Sequence, residues 1–209
     1  MGSELADGGD LGRAQDTLTL ASTSPQRRAI LEQLAIPFEV VAPAYVEDDE
    51  TLVTDRHKAI EVVRAHALGK ARSVHASGKV TLGVDTTVVL AGQAYAKAVD
   101  GTDAARMLHQ LSGRTHTVVS GLCLLGAGDD LVAHELTDVT FRQLTAETVA
   151  AYVASGEWEG RAGAYAIQGL GGRLVERIDG DYLNVVGLPG ALLVSVLERR
   201  APKLLQTGR

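Results

Sequence analysis

Three observations predict an α/β fold with a central mixed sheet flanked by helices. Short apolar or β-branched runs alternate with segments of helical period from residue 17 onward. The run Lys79–Leu90 is too apolar and too rich in valine and threonine to lie at a sheet edge. Two further strand-like stretches, His116–Leu125 and Leu131–Phe141, flank the turn Gly126-Ala127-Gly128-Asp129-Asp130 and read as a hairpin, which adds antiparallel pairing to a strand–helix–strand opening.

Taken in order, Thr17–Leu20 alternates like a half-buried strand. Ser24-Pro25 then reads as an N-cap with proline at the first helical position, opening a helix to about residue 35. Phe38–Val41 is a second strand, ended by Pro43. From Thr54 the apolar positions Ile60, Val63, Ala67 and Val74 recur at helical spacing, so a long helix carrying Lys70 is expected to run to about residue 76 and stop near Gly78. The strand 79–90 follows with Asp85 in its middle, then a turn at Ala91-Gly92-Gln93 and a short strand leading to Lys97. Thr102 is expected to cap a helix whose apolar side is Ala105, Met107, Leu108 and Leu111. After the hairpin, Thr145 caps a helix to about Ser155. A Gly-rich stretch covers 156–172, Leu174–Ile178 returns as a strand, and 188–200 is an amphipathic last helix. There is no internal repeat and no long linker. The expected organisation is one domain over 17–200, folded as two lobes around a cleft, between a disordered tail at 1–16 and a second tail at 201–209.

The 209 residues can bury a real core, with 45% hydrophobic and 22% charged residues. A net charge of −6 argues against a general nucleic-acid or membrane-surface binder. Cys123, the only cysteine, stands in the apolar run Leu122–Leu125 and reads as a buried, inert thiol suited to a reducing cytosol. No stretch approaches membrane-spanning length. Residues 1–16 lack the apolar centre of a secretory signal, and Ala6 stands where a myristoylation site needs Ser or Thr.

Two places carry chemistry. Ser22-Thr23-Ser24-Pro25-Gln26-Arg27-Arg28 puts hydroxyls, a helix start and two guanidiniums behind a strand. A polyphosphate is recognised by such donors and a fork-shaped cation, although the same run also serves as an ordinary capped helix start. Asp85, flanked by Leu82, Val84, Val88 and Val89, must pair with something, carry a raised pKa, or reach water or accept backbone hydrogen bonds where the strand bends at Gly83. The first two outcomes suit a general base or metal ligand. The acidic run Glu47-Asp48-Asp49-Glu50 could supply the one or two carboxylates that a phosphate-carrying magnesium ion needs, or could be a solvated loop. His57, His66 and His75 share a predicted helix in steps that put neighbours on opposite faces, which speaks against a histidine-bound zinc. His109, His116 and His134 read as structural or surface groups. No GxxxxGK[ST] loop or GxGxxG fingerprint follows the first strand. In the Gly-rich segment 156–169, Gln168 suits the edge of a nucleobase, and Trp158 and Tyr165 read as packing.

Five stretches together, Leu20–Arg28, Gly83-Val-Asp-Thr-Thr87, Leu111-Ser-Gly-Arg-Thr-His116, Ala162-Gly-Ala-Tyr-Ala-Ile-Gln-Gly169 and Asn184-Val-Val-Gly-Leu-Pro189, resemble the Maf-type nucleoside triphosphate pyrophosphatases over about residues 18–198. The resemblance implies the anvil-shaped α/β fold shared with inosine triphosphate pyrophosphatases, a divalent metal (Mg2+ or Mn2+), a homodimer and a cytoplasmic house-cleaning role. It makes Asp85 the proton acceptor that activates water, assigns Ser22, Arg27, Lys70 and Lys97 to the triphosphate, and places Glu47 near the metal. Gln26, Thr86 and Gln168 fall at positions that tune substrate choice. The Asp-Thr pair and the Ala-Tyr-Ala-Ile-Gln run resemble the dTTP/UTP branch rather than the 7-methyl-GTP branch. Departures stand at Gln26, where arginine is frequent, at Ala96-Lys97-Ala98 for Gly-Lys-Pro, at Arg161 for lysine, and before Glu47, where two carboxylates are missing so that Asp48 competes for its role. Rival expectations are a pyrophosphatase for 7-methyl-GTP or non-standard purine triphosphates, a noncatalytic nucleotide-binding regulator, and a metal-free phosphatase or sugar-phosphate enzyme that uses the same anion pocket with a different nucleophile and releases orthophosphate.

Overall fold

The computed structural model describes residues 17–47 and 53–206. The predicted N-terminal tail and the acidic residues Asp48–Glu50 lie outside the described residues. The described elements are β1 (Leu18–Leu20), α1 (Pro25–Gln33), β2 (Phe38–Val40), α2 (Arg56–Val74), β3 (Val80–Leu90), β4 (Gln93–Tyr95), α3 (Gly101–Leu111), β5 (Thr115–Leu125), β6 (Leu131–Phe141), α4 (Ala146–Ala154), β7 (Val175–Asp179), α5 (Tyr182–Val186) and α6 (Gly190–Arg200). Single 3₁₀ turns cover Leu170–Arg173 and Pro202–Leu205.

The seven strands make one mixed sheet in the order β2-β1-β3-β5-β6-β7, with β4 also on β3. The β1 strand runs parallel to both β2 and β3, and the remaining pairings are antiparallel. Beyond Leu82 the chain of β1 turns away, and β4 takes up pairing on that side of β3 only at Val88. Residues 83–87 of β3 therefore border a gap in the sheet, while β5 continues unbroken along their other side. Because side chains alternate across a strand, Leu82, Val84 and Val88 face the apolar clusters of α1, α6, α3 and α4. Gly83, Asp85 and Val89 face α2.

Helix α2 lies unusually close to the sheet. A methyl group on Gly83 would overlap the Ala67 carbonyl oxygen, and one on Gly121 would overlap the Val63 carbonyl. The helix buries Ala59, Val63, His66, Ala67, Lys70 and Ala71. Its buried stripe thus contains a histidine and a lysine, whereas Ile60 and Val74, counted in the predicted apolar stripe, are only half-buried.

Three local expectations are corrected. The cap of α3 is Asp100, which accepts from the Asp103 amide, two residues before the expected Thr102. The extended Asp100 backbone and its carboxylate offer the stronger cap. The last helix begins at Gly190 after Pro189, and a separate short helix, α5, precedes it, capped by Asp181 through the Leu183 amide. Gly187, at φ 129°, separates the two. Residues 202–205, expected to begin a tail, pack Leu204 fully into the core beside α6. The predicted turn at Ala91-Gly92 is present with positive φ at both residues, as a two-residue hairpin requires. Cys123 is buried, and burial pushes its thiol up to about 12.

His116 is 1% exposed, edge-on to the rings of Phe141 and Tyr165. Its Nε2 is 2.9 Å from the Tyr165 hydroxyl, and its Nδ1 has no partner among the described residues. Burial lowers its pKa to about 4, so the folded ring stays neutral while the unfolded one takes a proton near pH 6.5. Stability from this neutral ring is complete above pH 6.5 and is lost as pH falls towards 4. Urea unfolding at pH 7 and pH 5 is expected to differ by about 2 kcal/mol more in the wild type than in His116→Gln. Equal pH dependence in the two proteins would refute the assignment.

Candidate active site

The gap beside β3 opens into a cleft of about 820 Å³, lined from the β1–α1 loop, β3, α2, the Lys97 segment and residues 159–168. On its α1 side, Ser24 is the expected N-cap, accepting from the Arg27 amide at 3.5 Å, with Pro25 first in the helix. The Ser24 hydroxyl also donates to Gln26 Oε1 at 3.1 Å, which fixes Gln26 against the cap. Ser22, 4% exposed, accepts from the Ser24 amide and from Arg27 Nη1, each at 3.2 Å. Arg27 Nε donates to the Gly187 carbonyl at 2.9 Å, and Nη2 reaches Thr86 Oγ1 at 3.5 Å. Thr86 is held in turn by Ser120 at 2.9 Å and by Gly187. Burial lowers the Arg27 pKa, and the charges of Asp85 and Glu47 oppose that shift. The Arg27 fork is thus aimed by three separate pieces of chain.

On the α2 side, Lys70 Nζ donates to Asp85 Oδ1 and to Glu47 Oε1, each at 2.7 Å. His66, one turn earlier on the same helix, places Nδ1 3.2 Å from Asp85 Oδ2. The side chains of Lys70, His66 and Asp85 are 8%, 10% and 12% exposed, and that of Glu47 is 36% exposed. Glu47 arrives through Tyr45, whose ring lies on Gly69, where any side chain would collide with it. Burial alone would raise the Asp85 pKa. The His66 hydrogen bond and the Lys70 ammonium outweigh burial and hold the carboxyl well below the usual range. The hydrogen bond to Asp85 raises the His66 pKa against the opposing effect of burial.

The far rim is the Gly-rich segment. Lys97 is bridged to Ala162 by backbone pairing, and the Gly163 amide donates to the carbonyls of Tyr95 and Ala96. Tyr152 accepts from the Ala166 amide at 2.9 Å, and Glu157 accepts from the Gly171 amide. Tyr165 is buried against Phe141, and Trp158 donates Nε1 to the Val153 carbonyl, so both aromatics pack as expected. Lys97 and Gln168 are exposed and line the cleft from this side, together with Arg161, whose buried Nε has no partner among the described residues.

The structure therefore gathers Ser22, Gln26, Arg27, Glu47, Lys70, Asp85, Thr86, Lys97 and Gln168 around one cleft. Asp48, the alternative to Glu47, lies outside the described residues, and Arg28 is exposed and does not line the cleft. His66 is the cleft residue that sequence reading missed. Its signal was the i, i+4 spacing to Lys70, which puts both on one face of α2. Ligand atoms of Glu47, His66 and Asp85 lie within 4.8 Å of one another. Two carboxylate oxygens and one ring nitrogen, beside an amine that already occupies the anionic position as a counter-ion, fit a divalent cation in charge and donor type.

A family model described as Maf-like protein matches residues 17–200. The dTTP/UTP pyrophosphatase of Nitratidesulfovibrio vulgaris is 44% identical over 90% of this chain and 89% of its own. That of Moorella thermoacetica is 48% identical over 82% and 89%, and that of Pyrococcus furiosus 38% over 87% and 94%. Among solved structures, the Staphylococcus aureus Ham1 protein is similar with a TM-score of 0.40 and 12% identity, covering 60% of this chain and 71% of that one.

Proposed function

The chain belongs to the Maf family, and on that premise we propose that it is a nucleoside triphosphate pyrophosphatase acting on dTTP and UTP, yielding the monophosphate and pyrophosphate. The observation that carries this reading is the paired arrangement in the cleft: an ionised Asp85 held by Lys70 and His66, facing a guanidinium aimed by Ser22, Thr86 and Gly187. Relatives bearing the dTTP/UTP pyrophosphatase name over most of the chain supply the substrate class.

In this reading, Arg27, Ser22 and Lys97 bind the phosphates, and Lys70 stabilises the negative charge that develops as the bond between the α- and β-phosphates breaks. Asp85 takes the proton of the attacking water. In the free protein Lys70 is shared between Glu47 and Asp85. A bound triphosphate competes for that ammonium, and each hydrogen bond drawn away from Asp85 raises the affinity of its carboxylate for a proton. Glu47 and Asp85 would hold a divalent cation, Mg2+ or Mn2+, which when bound offsets phosphate charge. Gln168 and Gln26 face the cleft from opposite walls and read the base or its neighbouring phosphate. Residues 17–200 act as one domain, working as a homodimer in the cytoplasm without nucleic-acid partners. No helix among the described residues is long and apolar enough to cross a membrane.

The test is a panel of nucleoside triphosphates with Mg2+ or Mn2+, with pyrophosphate and orthophosphate measured separately. Pyrophosphate from dTTP and UTP is expected, in equal amount to the monophosphate. Orthophosphate as first product, or faster turnover of 7-methyl-GTP, would overturn the reading.

A further inference from the structure

We infer that His66 is a metal ligand of this cleft, converting an all-oxygen site into a mixed nitrogen–oxygen site that favours first-row transition ions such as Mn2+ and Co2+ over Mg2+. This rests on the proposed use of a divalent cation by the cleft. It adds a residue that the motifs leave out.

Three observations carry it. First, His66 is 7% exposed on the sheet-facing side of α2, a position that an aliphatic residue could fill without any polar partner. Instead it places a ring nitrogen against the carboxylate that the reaction uses. Second, the spacing suits coordination. Two ligands at right angles on bonds of about 2.1 Å stand ~3 Å apart. The His66 Nδ1 to Asp85 Oδ2 distance is 3.2 Å, and one ligand atom from each of Glu47, His66 and Asp85 lies within 4.8 Å of the other two. Third, the carboxylate divides its work. Asp85 Oδ2 faces His66 and would be the ligand, whereas Oδ1 faces Lys70 and remains to accept the proton of water. The ring is braced from another side by Tyr45, at a centroid distance of 5.8 Å, so the nitrogen is held in place before any ion arrives. Imidazole nitrogen is a poor partner for Mg2+, which prefers oxygen and gives up water reluctantly, and a better one for transition ions.

The experiment uses the full chain without nucleotide. Mn2+-loaded wild type and His66→Leu are compared by electron spin echo spectroscopy for coupling to a ring nitrogen. Co2+ and Mg2+ affinities of both proteins are measured by calorimetry. Far-UV circular dichroism checks the fold of the variant. A nitrogen coupling is expected in the wild type and its loss in His66→Leu. Co2+ affinity should fall about ten-fold or more, as loss of outer partners alone costs about 10- to 100-fold, while Mg2+ affinity changes by less than about three-fold. Wild type with bound Mn2+ and no nitrogen coupling overturns the inference without needing the variant. Co2+ and Mg2+ affinities that fall together, or that both hold, also overturn it. If pyrophosphate release from dTTP persists in those cases, the proposed function stands and only the role of His66 fails. Absence of Mn2+ binding together with orthophosphate as first product would remove both.

Discussion

Asp85→Asn is expected to lower pyrophosphate release from dTTP by about 10²- to 10⁴-fold, the usual cost of losing a positioned general base. The substitution keeps the shape of the side chain and an oxygen for Lys70, so the secondary structure should survive. Lys70 also retains Glu47 as a counter-ion at 2.7 Å. The loss should therefore fall on turnover rather than on the fold, read by steady-state kinetics beside circular dichroism. In the wild type the carboxyl is held well below the usual range by His66 and Lys70 against the opposing pull of burial, so it is ionised throughout the neutral range. No acid limb from Asp85 itself should appear in the free-protein rate profile above about pH 4. Near-normal turnover by the asparagine variant would remove Asp85 from the mechanism.

Lys70→Met should damage both stability and rate. The Lys70 side chain is 8% exposed and its ammonium pairs with two carboxylates at once. Methionine matches its length and leaves Asp85 buried without a cation on Oδ1. Breaking a buried pair from one side costs about 3–5 kcal/mol, and the lower end applies here because Glu47 is 36% exposed and can be hydrated. The pH dependence gives the sign. Wild-type Asp85, with its pKa lowered, contributes stability that is present above the unfolded carboxyl pKa and is lost as pH falls through its folded value. In the variant burial is opposed only by His66 and Arg27, so the folded pKa rises above its wild-type position and the ionised Asp85 contributes less to stability. The gap between the two proteins should thus be widest near pH 7 and shrink below about pH 4. Turnover should fall by roughly 10²- to 10³-fold as for a lost oxyanion donor. Urea unfolding across pH, set beside the rate, checks both. A gap that widened on acidification would refute the assigned ion pair.

How much of this was legible beforehand follows from which signals are local. The Ser24-Pro25 cap, the Gly126–Asp130 hairpin and the β-branched run through Asp85 depend on neighbours in sequence, and each is present in the structure. The Asp100 cap lay only two residues from the expected one, where two short polar residues compete for the same helix start. The short helix α5 depends on Gly187 and on packing against α6, beyond the reach of a hydrophobic period. The α2 face was read in part, and the rest was missed for a physical reason. Of the apolar period Ile60, Val63, Ala67 and Val74, Val63 and Ala67 do point inward, but His66 and Lys70 share that side, because the opposing sheet carries glycine and aspartate there. Polar groups point inward wherever the partner surface supplies counter-charges, and nothing within α2 alone announces that. The motifs brought Asp85, Lys70 and Arg27 to attention one at a time. That Arg27 is aimed by Thr86 and the Gly187 carbonyl needed three distant segments in space.

Gly83 and Gly121 set the spacing between α2 and the sheet by contact of main chain with main chain. Side chains in an ordinary core can exchange volume with their neighbours, so heat or mutation loosens such interfaces by degrees. A backbone seat has no volume to exchange. Warming should leave Lys70 and His66 correctly placed until the helix separates from the sheet altogether, so that activity ends with cooperative melting rather than fading ahead of it. For an engineer, the same seat marks a boundary: variation in recognition is best sought on the α1 wall and the Gly-rich rim, where side chains and loops can yield.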